Sequence, residues 1–135
     1  MQAGRLSVAE HSMPPLTLSR AETFLERLRG LLGRRSLDVA EGLWITPCGS
    51  VHTFGMRFPI DVVFVGRDGR IVRIVDRLVA GRVAFARSTA SVVELAAGAA
   101  KRLGLEVGQQ LQWSRSDDDE RLPLAKAAID RRNHR

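Results

Sequence analysis

The sequence predicts a mainly-β domain, an antiparallel sandwich or barrel with one or two short flanking helices. Three observations carry this. Ile60–Val65 (IDVVFV) and Arg70–Leu78 (RIVRIVDRL) flank the turn Gly66-Arg67-Asp68-Gly69 and read as a β-hairpin. Short apolar runs follow at Val83–Phe85, Ser91–Leu95 and Gln109–Trp113, separated by turn residues. No strand–helix–strand rhythm points to a parallel sheet.

Along the chain, residues 1–15 read as a flexible arm with Pro14-Pro15 as a breaker. Residues 16–113 read as the single β-rich domain, opened by a short edge strand at Leu16–Leu18. Ser19-Arg20-Ala21-Glu22 matches a capping box, and Ala21, Phe24, Leu25, Leu28 and Leu32 recur at helical spacing. A helix is therefore expected from Ser19, ending near Gly33, with Arg34 and Arg35 complementing its dipole. Leu43–Thr46 and Ser50–Phe54 read as short strands. In the return strand of the hairpin the apolar residues come in pairs around Arg73, which predicts a bulge or a strong twist. Ala97–Leu103 suits a short helix ending at Gly104. Residues 114–135 read as a charged tail, with the acidic block Asp117–Glu120 and a basic end.

Hydrophobic residues make up 44% of the 135, enough for one ordinary core, and the single cysteine excludes an internal disulfide. No apolar run approaches a membrane span and no signal peptide is seen, so the expectation is a soluble, cytoplasmic protein. The net charge of +6 comes from 19 arginines and two lysines. The arginines are spread through the chain and aromatics are only 5%, so no clear nucleic-acid signature emerges. Nucleotide-binding glycine motifs are absent.

Function is expected in Leu43–Val65, LWITPCGSVHTFGMRFPIDVVFV. It holds the only cysteine and three of the five phenylalanines, and sets polar residues among apolar ones. A polar group in such a run is hydrogen-bonded, bound to something, or open to a pocket.

Four pieces of the sequence carry a family resemblance. They are RLRGLLGR at Arg27–Arg34, HTFGMRFPIDVVFV at His52–Val65 with the DGRIV turn after it, SVVEL at Ser91–Leu95, and AGAAKRLGLEVGQQL at Ala97–Leu111. With these the chain resembles the prokaryotic family called domain of unknown function 192. The resemblance implies a β-sandwich-like, jelly-roll-like domain with short helices, and no named reaction. Met56, Pro59 and Asp61 match its pattern. Gly55 replaces an aromatic residue, which widens any pocket there, and Gln109 replaces an acidic one.

Three functional readings compete over the central stretch. Cys48, Ser50 and His52, spaced by two, share a face if the chain is extended. Cys48, His52 and Met56 are the donor types of a soft-metal site, although the spacing is no known signature. Cys48 or Ser50 as nucleophile, His52 as base and Asp61 as orienting carboxylate make a hydrolase constellation. The leading reading is a non-catalytic ligand- or partner-binding pocket formed by Trp44, Cys48, Ser50, His52, Thr53, Met56, Arg57 and Asp61, with no cofactor required. Against all three stands a purely structural role, in which Cys48 and Met56 fill core space and Asp61 accepts main-chain N–H groups. A surface that meets a partner through a sheet edge or a basic face is a further alternative. Glu94 is expected to face solvent or pair with an arginine.

Overall fold

A computed structural model describes residues 2–9, 13–21 and 34–115. The fold is built outward from strand β5 (Ile60–Val65), whose six residues are all buried. Its β-branched side chains suit a pleated strand covered on both faces. β6 (Ile71–Leu78) pairs with it on one side and β8 (Ser91–Ala96), also buried throughout, on the other. Beyond β8 the sheet continues through β3 (Glu41–Ile45), β2 (Thr17–Ala21), β1 (Gln2–Val8) and β9 (Leu111–Arg115).

The predicted hairpin is present, and so is the predicted bulging of its return strand. Between Ile60/Leu78 and Val62/Val75, and again between Phe64/Arg73 and Val65/Ile71, β6 advances one residue further than β5. At the first bulge Arg77 takes φ 51°, a left-handed value that costs about 1–2 kcal/mol in a residue with a Cβ.

The mainly-β class holds, and the sheet is mixed. β2 and β3 run parallel, whereas every other pair in this sheet is antiparallel. A parallel pair needs a long connection, which residues 22–40 supply. The helix expected from Ser19 is corrected at its start: Ser19, Arg20 and Ala21 belong to β2, inside the sheet and not at its edge. Its continuation, residues 22–33, lies outside the described residues, as does the tail from residue 116. Residues 2–8, read from the sequence as an arm, form β1 between β2 and β9, and Ser114 and Arg115 extend β9.

The two edge strands meet at one end only. Arg70 bridges Gln110, Ile71 N–H donates to Gln109 O (2.9 Å), and Leu111 N–H donates to Gly69 O (2.8 Å). The sheet is thus rolled but not closed into a barrel. Leu18, Val63, Val93 and Leu95 share one face by register and are fully buried. Gly42 makes room among them: a Cβ there would lie 2.7 Å from Leu95 Cδ2 and 2.9 Å from Leu18 Cδ1. Helix α1 (Ala99–Arg102) packs against β5 and β8, burying Ala99 and Ala100. A separate two-stranded sheet pairs β4 (Ser50–His52) with β7 (Val83–Phe85). Among the described residues no helix is long and apolar enough to cross a membrane.

Candidate functional site

The eight residues of the predicted pocket take three kinds of place among the described residues. They divide among the buried scaffold, an exposed face and a cleft wall.

Four belong to the scaffold. Trp44 is buried on β3, its Nε1 without a hydrogen-bond partner. Met56 is buried and its N–H donates to Thr53 O (3.1 Å). Thr53, fully buried, staples the end of β4 to the loop before β7. Its hydroxyl donates to Val79 O (2.6 Å) and accepts from Arg82 N–H (2.9 Å), while its own N–H donates to Arg82 O (2.8 Å). Asp61 has 0% exposure; Oδ1 accepts from Arg77 N–H (2.9 Å) and Oδ2 from Ala100 N–H (3.0 Å). One carboxylate therefore ties the bulge of β6 to the first turn of α1, which offsets the strain at Arg77.

Ser50 and His52 point outward from the small sheet, opposite Phe85 and Val83. The His52 ring stacks on Phe54 at 5.8 Å and 28°. Phe54, Val83 and Phe85 are 56%, 61% and 62% exposed, and Arg57 is exposed nearby in sequence. Arg73 caps β7 by donating to Phe85 O. The connection between β3 and β5 that carries β4, residues 46–59, contains Arg57, and the connection between β6 and β8 that carries β7, residues 79–90, contains Arg82 and Arg87; neither contains an acidic residue.

Cys48 follows the cis Thr46–Pro47 peptide, on the wall of a cleft. Its N–H donates to Ala90 O (2.9 Å) and its thiol donates to Ser50 O (3.1 Å), not to His52. Asp61, held by main-chain donors, does not orient His52. Among the described residues no three His, Cys, Asp or Glu side chains are placed to hold a metal.

Glu94 corrects the expectation of a solvent-facing or paired carboxylate. It is 6% exposed on β8, flanked across the sheet by Leu43 and Val62, and makes no hydrogen bond or ion pair among the described residues. Burial pushes its carboxyl from the ordinary 4.5 up to about 7. Sequence reasoning also passed over Val83 and Phe85 as site residues. The signal that marks them is local: an apolar alternation flanked by Arg82 and Arg87 with no carboxylate near in sequence.

These features define a small β domain whose rolled mixed sheet carries a two-stranded sheet with an apolar, arginine-flanked outer face. The sequence pattern of the domain of unknown function 192 family, described as uncharacterized ACR, matches residues 6–113, and the chain belongs to that family. Two solved structures share the fold. A protein of unknown function from Novosphingobium aromaticivorans is 27% identical, with 84% of this chain covering 86% of that one and a TM-score of 0.75. One from Sinorhizobium meliloti, described as a "putative transcription regulator", is 28% identical, with 83% of this chain covering 92% of that one and a TM-score of 0.73. No curated protein matches the chain.

Proposed function

We propose that this chain is a non-catalytic binding module that docks an acidic, apolar segment of another protein on the outer face of β4 and β7. The carrying observation is the exposure of Val83 and Phe85 on one small sheet, with exposed Phe54 stacked on His52 beside them. Large apolar side chains clustered at a surface mark interaction sites more often than scattered ones do. Charge complementarity selects the partner: three arginines and no carboxylate lie in the connections that carry β4 and β7, residues 46–59 and 79–90. Alternation along β4 and β7 sets the outward side chains at strand spacing, the spacing at which an extended peptide presents its own. Ser50 and His52 of the predicted site lie on this face, and Thr53 ties the end of β4 to the loop before β7.

The test uses the full chain and a ten-residue peptide alternating glutamate with leucine and phenylalanine, followed by fluorescence anisotropy. Saturable binding that weakens with salt and falls about tenfold or more in Phe85→Ser supports the reading. A lysine version of the peptide should not bind. Absence of binding, or stronger binding to a single-stranded oligonucleotide or to anionic vesicles, overturns it. The oligonucleotide arm also tests whether the description of the Sinorhizobium meliloti relative extends to this chain.

A further inference from the structure

Away from the small-sheet face, Arg67 and Thr89 stand together at the junction of two adjoining depressions. One, of about 600 Å³, is lined by the β5–β6 turn (Gly66, Arg67, Asp68), by Val72 and Ala86, and by Ser88 and Thr89. The other, of about 420 Å³, is lined by Thr46–Gly49, Arg67, Thr89 and Ala90. Arg67 and Thr89 line both.

The donors here are unspent. Thr89 Oγ1 is buried and has no hydrogen-bond partner among the described residues. A buried hydroxyl without a partner is uncommon and costs stability. The exposed guanidinium of Arg67 makes no hydrogen bond or ion pair among the described residues. The main-chain N–H groups of Arg67 and Ser88 likewise have no protein acceptor among them. Ser88 holds φ 59°, a left-handed conformation unusual for serine, where successive N–H groups can turn toward one concavity. The two loops lie side by side: a Cβ at Gly66 would stand 3.4 Å from Ser88 O, ordinary contact distance. The one carboxylate in the cleft is turned to its own loop: Asp68 Oδ1 accepts from Arg70 N–H (3.0 Å), and Oδ2 lies 3.8 Å from Arg70 Nε.

We infer that this cleft is a binding site for a small phosphorylated molecule, its phosphate held by Arg67, the Thr89 hydroxyl and the main-chain N–H groups of the 87–89 loop. A planar guanidinium matches two phosphate oxygens, and phosphate has enough acceptors for every donor present. Val72, Ala86 and Pro47 supply apolar wall for the body of the ligand. The site adds to the docking face and does not depend on it.

Titration of the ¹⁵N-labelled full chain with inorganic phosphate and with phenyl phosphate tests this by amide shifts. Saturable changes confined to residues 66–68 and 87–90 are expected, with phenyl phosphate binding about tenfold more tightly because it also uses the apolar wall. Arg67→Gln, at an exposed position that leaves the fold intact, should weaken binding about tenfold to a hundredfold. Thr89→Val should weaken it less. Shifts spread over arginines elsewhere and unaffected by Arg67→Gln overturn the site. Benzoate binding as tightly as phenyl phosphate overturns the phosphate assignment. Both results leave the peptide experiment on β4–β7 untouched, so the two proposals fail separately.

Discussion

Two carboxyl groups are buried on neighbouring strands, and their surroundings differ completely. Asp61 on β5 sits beside the β6 bulge and the start of α1, where two main-chain N–H groups are aimed at it. Glu94 on β8 sits between Leu43 and Val62 with nothing to bond among the described residues. Burial without donors favours the protonated form of a carboxyl group. Asp61 is thus part of the architecture, and Glu94 is a strained exception to it.

The largest expected effect lies on the Asp61 side. Asp61→Ala removes two hydrogen bonds and leaves the buried Ala100 N–H and the part-buried Arg77 N–H without their acceptor, so a loss of about 3–5 kcal/mol in urea denaturation is expected. A loss below about 1 kcal/mol would show that the bulge and α1 hold themselves, and the contrast would disappear.

The Glu94 side should behave oppositely. Its folded-state carboxyl titrates near 7 and its unfolded one near 4.5. Between those values the native state binds the extra proton. Stability is therefore greatest below about pH 4.5 on this account and declines as pH rises through 7. The decline from this residue is on the order of 3 kcal/mol by pH 8. Glu94→Gln should flatten that dependence and raise the melting temperature at pH 8, read by calorimetry across pH. An unchanged slope would mean that the carboxylate finds compensation once ionised.

The smallest effect sharpens the comparison on the small sheet. Thr53→Val leaves Arg82 N–H and Val79 O without the hydroxyl that joins them, at a cost of about 1–2 kcal/mol. Amide exchange should then quicken in β4 and β7 ahead of β5 and β8. Uniform quickening would show that the small sheet is not a separate unit of stability.

Much of the central fold was legible in the sequence because its signals are local. The IDVVFV run, the DG turn and the paired apolar residues of RIVRIVDRL specify a bulged hairpin without reference to anything distant. The N-terminal part was not legible, because the match of Ser19–Glu22 to a capping box is local evidence for a helix, whereas the pairing of β2 with β3 spans a connection of residues 22–40. The candidate site divided in the same way. Asp61 was recognisable as a carboxylate needing partners, but those partners are main-chain groups presented by a left-handed Arg77 and by α1, which no residue type announces. Arg67 was read only as a turn residue and Thr89 went unremarked, because their cleft exists only once two loops far apart in sequence lie side by side.

The incomplete meeting of β6 and β9 has a bearing on how this molecule behaves in a crowd. Past Arg70 and Gln110 the two outer strands do not pair with each other, and among the described residues no further strand covers them, leaving ladder groups that a stray polypeptide could extend into ribbons. The kinks in β6 and its outward Arg73, Asp76 and Arg77 make that rim crooked and charged, a poor template for fibre growth. Straightening β6 by deleting a bulge residue would restore a flat rim, and with it a tendency to precipitate on refolding.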